Sequence, residues 1–254
     1  MTPIEIDRAL KQLRLSGLRA TLQTRLLEAN GSQQPFLDTF TLLLQDELDR
    51  RRTRLIERRY RLSGLDEKPS FADFDWQFNP KLPRAACFDL HTLQFIGAGA
   101  NALIVGQPGT GKSHIAKALA YQAILHGHRV SYLESDVALP RYGLCSPSLQ
   151  EQQLKNLLAS DLVVIDDLFL AKRLPDAGAE FLQTLIHARY KRHGSMIVTS
   201  NRVLQDWAGY LGDATMASTL LDRLMHRCHA LEFEGRSYRL KEAAARLARA
   251  PSSV

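Results

Sequence analysis

Cysteine is scarce in this sequence: Cys87, Cys145 and Cys228 are the three thiols among 254 residues. They stand far apart, with no Cys-x-x-Cys pair and no histidine cluster at zinc spacing. That argues against a disulfide scaffold or a zinc site and leaves buried structural thiols in a reducing, cytoplasmic setting as the expectation. Long apolar runs are missing as well. Residues 162–165, one of the longest, are far too short to cross a bilayer, so no membrane partner is expected. The opening Met-Thr-Pro-Ile-Glu-Ile-Asp lacks the basic-then-apolar order of a secretory leader. No internal repeat and no low-complexity tract is visible.

What is present is positive charge, unevenly spread. The net charge is +6, and residues 50–61 alone hold seven arginines against one glutamate. Such a balance points toward a polyanionic partner. Residues 1–65 read as an all-helical domain. Thr2-Pro3 is a cap followed by proline at the first helical position, and Ser16-Gly17 interrupts the pattern. Helices are expected near 18–29 and 35–62, the latter with Leu44, Leu48, Leu55 and Leu62 as an apolar stripe, of which Leu48, Leu55 and Leu62 can face a partner helix or the body. Residues 66–95, punctuated by prolines and rich in aromatics, read as a linker with short helices. Over 96–240, short apolar strands alternate with helices, the signature of an α/β fold with a parallel five-stranded sheet. Residues 241–254 are expected to form a C-terminal tail.

The chemistry is concentrated at four strand ends. Gly106, Gln107, Pro108, Gly109, Thr110, Gly111, Lys112 and Ser113 match Gly-x-x-x-x-Gly-Lys-Ser/Thr, between an expected strand and an expected helix. Glycines let successive N–H groups curl around phosphate oxygens, and the helix N-terminus favours the same anion. Lys112 supplies an ammonium for the outer phosphates and Ser113 a hydroxyl for magnesium, so ATP and Mg2+ are the expected cofactors. Residues 162–165 then deliver Asp166 and Asp167 to the sheet edge where ligands bind. Asp166 is expected to hold magnesium through water and Asp167 to polarise the attacking water, unless the pair merely caps a loop. A neighbouring strand ends in Thr199-Ser-Asn201. Asn201 orients that water, contacts the outer phosphate, or is a turn residue. Arg223 is either an arginine finger acting on a neighbouring subunit's nucleotide or the partner of Asp222 or Asp213.

These elements in this order suggest the AAA+ division of phosphate-loop ATPases. Further details narrow the match: Pro69-Ser-Phe-Ala-Asp-Phe-Asp75, His114 after the loop, Arg189-Tyr190, Leu221-Asp-Arg-Leu-x-His-Arg227 and Gly235-x-Ser-Tyr-Arg239. With them the chain resembles the IstB-like family, the helper ATPases encoded beside the transposase in one class of bacterial insertion sequence. It is similar, more distantly, to the DnaC and DnaI helicase loaders and to the initiator DnaA. The resemblance implies ATP-dependent self-assembly on double-stranded DNA and recruitment of the cognate transposase. It adds His114 to the nucleotide-binding residues and supports Asn201 as a polar sensor and Arg223 as a finger in trans. Two departures stand out. Asp167 replaces the glutamate common in AAA+ enzymes, implying slow turnover. About 20 residues follow Phe233, too few for the usual helical lid, so the lid is reduced or absent and Arg239 is the candidate replacement for its sensor arginine.

On a helix, Arg50, Arg54, Arg58 and Arg61 share one face over about 16 Å, a length suited to a row of phosphates. No aromatics interleave them, which favours duplex backbone over stacked single-strand bases. Lys172 and Arg173 are a second candidate DNA contact. A replicative helicase loader is the alternative on the same core. A metabolic kinase is disfavoured, because no substrate pocket or lid is discernible.

Overall fold

A computed structural model describes residues 2–170 and 174–249. Lys172 and Arg173 lie outside the described residues. The chain divides into two compact units, residues 1–59 and 60–254.

In the first unit, α1 (Pro3–Gln12) opens on a capping box. The Thr2 hydroxyl accepts from Glu5 N, and the Glu5 carboxylate accepts from Thr2 N at 2.7 Å. The next helix, α2 (Ser16–Ser32), has no side-chain cap at its own N-terminus. Glu47 on α3 (Phe36–Ser63) supplies one, accepting from Gly17 N at 2.5 Å and Leu18 N at 3.3 Å. Burial pushes the Glu47 carboxyl up, but Arg51 and these two N–H groups outweigh it and hold the group below the usual carboxylate range. A Cβ at Gly17 would meet Asp46 O and Glu47 Cα at 2.6 Å, so glycine permits this approach. Ser16-Gly17, read from sequence as a break, therefore opens a helix instead.

The same contacts decide which face of α3 is covered. Thr39, Leu43 and Glu47, four residues apart, are buried. Arg25 of α2 forks onto Asp46 at 2.9 and 3.0 Å. Leu44, Leu48, Leu55 and Leu62, the apolar stripe read from sequence, are exposed in the single chain. The Glu47 cap and the Arg25–Asp46 fork rotate them outward.

In the second unit, a single 3-10 turn (Phe71–Asp73), α4 (Arg84–His91) and α5 (Gln94–Gly97) precede the sheet. There follow β1 (Asn101–Gly106), α6 (Lys112–Leu125), β2 (Val130–Glu134), α7 (Ser135–Gly143), α8 (Pro147–Leu158), β3 (Leu162–Leu168) and α9 (Asp176–Lys191). The remainder is β4 (Ser195–Ser200), α10 (Trp207–Leu211), α11 (Ala214–Met225), β5 (Cys228–Phe233) and α12 (Tyr238–Arg249). The five strands lie parallel in the order β2-β3-β4-β1-β5. Residues 162–165 and 195–200 are wholly buried, as strands covered on both faces must be. Three helices went unread in the sequence: α7, the five-residue α10 and α12. α7 carries Pro140 in its interior, which argues locally against a helix. The stretch read as a tail from 241 begins inside α12, and this one helix stands where a lid would follow β5.

The lower edge of the sheet is closed by Arg189 of α9, 2% exposed. Its guanidinium donates to the carbonyls of Ser160 and Ser195 at 2.5 Å, of Asp161 at 3.0 Å and of Leu157 at 3.5 Å. Burial pulls it down to about 10. Arg189→Leu would strand these carbonyls in a dry site, so it should cost about 3–5 kcal/mol in denaturant unfolding and lower Tm by about 10 °C. Arg189→Lys, with no fork to span the carbonyls, should recover part of that loss.

Candidate nucleotide-binding site

β1 ends at Gly106 and α6 begins at Lys112, so the glycine loop spans the C-terminal edge of the sheet. Gly109 and Gly111 carry φ of +76° and +100°, conformations that let the intervening N–H groups turn toward one point. Neither could be replaced: a Cβ at Gly111 would strike the Phe74 ring, and one at Gly109 would strike Ser237 Oγ. Lys112 is 4% exposed and donates to Gly106 O and Gln107 O, both at 2.8 Å. Burial pulls its ammonium down to about 8 against the opposing pull of Asp167 and Asp166. Thr110 Oγ closes the loop onto Gln107 O at 2.8 Å.

The loop floors a cleft of about 220 Å³. Pro108 to His114 form its base, Asp167 and Asn201 one edge, Tyr238 and Arg239 another. Asp73, Phe74, Asp75, Phe78, Asn79 and Leu82 of the linker complete the wall. One end is thus lined by the glycine loop and cations, while the linker wall sets Phe74, Phe78 and Leu82 among the polar Asp73, Asp75 and Asn79. That division suits a ligand with an anionic tail and a planar apolar head.

The acid pair splits into two environments. The register between β3 and β4 shifts between Ile165 and Leu168, so the strand leaves its ladder at the two aspartates. Asp166 is 3% exposed; its Oδ2 accepts from Tyr132 Oη at 2.6 Å and its Oδ1 from Thr199 Oγ1 at 2.5 Å. The Thr199 oxygen in turn accepts from Asp167 N at 2.8 Å. Burial and then Asp166 push the Tyr132 phenol far up, so it stays a donor. Asp167 has φ of +53°, which aims its carboxylate away from the strand and into the cleft. Burial, then Asp166, raise it above the usual carboxylate range, partly offset by Lys112. Asn201 Oδ1 is buried with no hydrogen-bond partner among the described residues, and its side chain lines the same cleft. An orphaned acceptor here is suited to a ligand or water.

The C-terminal segment is bolted to this site. Tyr238 N donates to Gly109 O at 2.9 Å, and Asn79 pairs with the Arg236 backbone through two bonds of 2.9 Å. Lys241 meets Asp75 at 3.1 Å, and Phe78 packs edge-on against Tyr238. His114 Nε2 lies 3.1 Å from Ser70 O, joining the first turn of α6 to the linker.

The sequence profile of the IstB-like ATP binding protein family matches residues 8–246. The chain belongs to that family. It is 32% identical over 232 residues to an inferred ATP-binding protein of an insertion sequence in Mycobacterium tuberculosis, covering 91% of this chain and 92% of that one. It is 30% identical over 240 residues to the inferred ATP-binding protein of insertion sequence IS21 from Pseudomonas aeruginosa, covering 94% and 89%. Among solved structures, DnaI shares its fold at TM-score 0.55 and 18% identity, covering 66% of this chain and 89% of that one. The replication initiator DnaA bound to AMPPCP and single-stranded DNA does so at TM-score 0.54 and 20% identity, covering 73% and 56%. The core of this IstB-like chain therefore has the AAA+ fold.

Within the IstB-like core, Arg223 lies apart from the cleft. It sits in the last turn of α11, whose Leu224 O accepts from Asn101 Nδ2 at 3.0 Å at the start of β1. The cleft is at the other end of that strand. Arg239 does line the cleft, next to Lys112 and Asp167. Arg50, Arg54, Arg58 and Arg61 are exposed on α3, with Arg54 donating to Ser16 Oγ at 2.7 Å. Sequence reasoning missed Tyr132, which reads as an ordinary strand residue, and gave no role to Thr199 beyond its place in the Thr199-Ser-Asn201 strand end. It also missed the linker aromatics Phe74 and Phe78, whose clustering in 71–78 was the available signal.

Proposed function

We propose that this IstB-like chain binds ATP with magnesium, hydrolyses it, and uses the bound nucleotide to assemble on duplex DNA, where it recruits and stimulates a transposase. The observation that carries the reading is the single cleft joining the glycine loop, Asp167 and Asn201. Its amide-lined end takes the phosphates and its Phe74 and Phe78 end the base. Lys112 exchanges its two carbonyl partners for phosphate oxygens. Asp167, raised and facing the cleft, accepts a proton from the attacking water, and Asn201 orients that water. The donor set fits magnesium: Ser113 lines the cleft, and Asp166 is held oriented by two hydroxyl donors with lone pairs left for bound water. When bound, the ion neutralises charge on the outer phosphates. Arg239 approaches from α12 of the same chain, and Arg223 serves a neighbour's site.

Arg50, Arg54, Arg58 and Arg61 are assigned to duplex phosphates. With about four contacts per subunit, raising salt from about 50 to about 200 mM should weaken duplex binding about 100-fold. Replacing Arg50, Arg54 and Arg58 together by alanine should flatten the salt slope by about three and weaken all sequences alike, as read by fluorescence anisotropy. A preference for single strands over duplex in that titration would instead favour a helicase loader.

A further inference from the structure

The turn that carries Asp167 uses backbone conformations that side chains disfavour. Asp167 has φ of +53° and Phe169 has φ of +64°, in the left-handed region that glycine enters freely. Such a turn persists where its surroundings over-determine it. Ser135 Oγ donates to Asp167 O at 2.8 Å, Ser200 Oγ to Leu168 O at 2.7 Å and Arg202 Nε to Phe169 O at 3.3 Å. Asp167 N donates to Thr199 Oγ1 at 2.8 Å. Ser135 follows β2, while Thr199, Ser200 and Arg202 end or follow β4, so both neighbours of β3 grip its tip.

One of these anchors has a second partner. The Thr199 hydroxyl also donates to Asp166 Oδ1 at 2.5 Å. A hydroxyl carries a single proton. That proton goes to Asp166, an oxygen lone pair takes Asp167 N, and Thr199 is fully buried. Its two bonds therefore have fixed directions. Branching at Cβ narrows χ1 and holds the oxygen between its partners. Tyr132 provides the contrast. Its Oη grips the same carboxylate by the other oxygen, Oδ2, at 2.6 Å, without the tie to Asp167 N.

We infer that Thr199 is a positioning residue for hydrolysis. Its one hydroxyl fixes the Asp166 carboxylate relative to the Asp167 main chain, so that the acid assigned to magnesium and the acid assigned to water keep one geometry. Tyr132 orients Asp166 alone. The inference rests on the proposed roles of Asp166 and Asp167 and gives them a shared support. Misplacing a catalytic group by about 1 Å can cost about 100-fold in rate, and freeing a metal-bearing carboxylate about 10-fold in metal affinity.

Full-length wild type, Thr199→Val, Thr199→Ser and Tyr132→Phe are compared in two ways. ATP is titrated calorimetrically with EDTA and again with magnesium, and turnover is measured at saturating magnesium and ATP. Affinity in EDTA should be alike throughout, since the glycine loop and Lys112 are untouched; this reports an intact cleft. The gain in affinity on adding magnesium should shrink about tenfold in Thr199→Val and in Tyr132→Phe, because each frees one oxygen of Asp166. Turnover should separate them, falling about 30-fold in Thr199→Val and about threefold in Tyr132→Phe. Thr199→Ser keeps the hydroxyl and should come within about threefold of wild type in both measurements. Wild-type turnover in Thr199→Val would overturn the inference. So would a loss in Tyr132→Phe or Thr199→Ser as deep as about 30-fold. Should Thr199→Val lose ATP binding even in EDTA, the other two variants still decide by that criterion. A wild type that neither binds nor hydrolyses ATP with magnesium would sink the proposed function and this inference together, whereas an active wild type with an unaffected Thr199→Val sinks the inference alone.

Discussion

Lys112→Ala should lower ATP affinity by about 100-fold or more in a calorimetric titration, with little change in Tm. In the free chain the Lys112 ammonium donates to Gly106 O and Gln107 O at 2.8 Å each, inside a loop that leaves it 4% exposed. Bound nucleotide would replace those neutral acceptors with charged ones. A charge-assisted bond contributes about 1.5–3 kcal/mol, and two lost together reach about 3–5 kcal/mol, which is two to three orders of magnitude in affinity. The loop itself should persist, because the backbone at Gly109 and Gly111 and the bond from Tyr238 N to Gly109 O do not involve the lysine. Burial also leaves this ammonium charged only below about 8 in the free chain. Phosphate favours the charged form, so above that pH binding should take up a proton, visible as a buffer-dependent heat. Unchanged affinity in Lys112→Ala would remove the cleft as the nucleotide site.

Arg223→Ala should bind ATP normally and hydrolyse it about 1,000-fold more slowly. The reason is position. α11 delivers Arg223 to the start of β1, tied there through Asn101 and Leu224, whereas the phosphate loop leaves the end of the same six-residue strand. That strand spans about 20 Å, more than an arginine side chain can bridge. A role in catalysis therefore requires a second subunit. Mixing Arg223→Ala with Lys112→Ala protein should recover part of the activity, since an intact cleft from the first can meet an intact arginine from the second. Equal inactivity of the mixture, with mixed assemblies confirmed by crosslinking, would leave Arg223 a structural residue.

Much of the sheet and of the cleft is legible in the sequence. The phosphate loop is read from its glycines because only positive-φ positions allow the cradle, and the sheet is read from short apolar runs because strands covered on both faces need them. Asp167 and Asn201 fall in the cleft because both follow such runs. Other features resist reading for identifiable reasons. α7 hides behind Pro140, which sits in the interior of a nine-residue helix and forgoes the bond to the carbonyl four residues back, a position from which local rules exclude proline. Tyr132 looks like a packing residue, and Thr199 has no assignable partner, until β2, β3 and β4 are aligned, since their contacts with Asp166 span more than thirty positions of sequence. The leucine stripe of α3 is visible as a pattern, but periodicity does not say which apolar face is covered. A buried carboxylate on Glu47 makes that choice.

The placement of the cleft and Arg223 at opposite ends of β1 gives the molecule a direction. If Arg223 serves a neighbour's nucleotide, subunits must stack front to back, and an unclosed stack has one terminal member whose pocket receives no arginine from a neighbour. A row of n subunits would then contain n − 1 working centres. Activity per subunit should climb with assembly length and level off, whereas a closed ring would reach its full rate at one size.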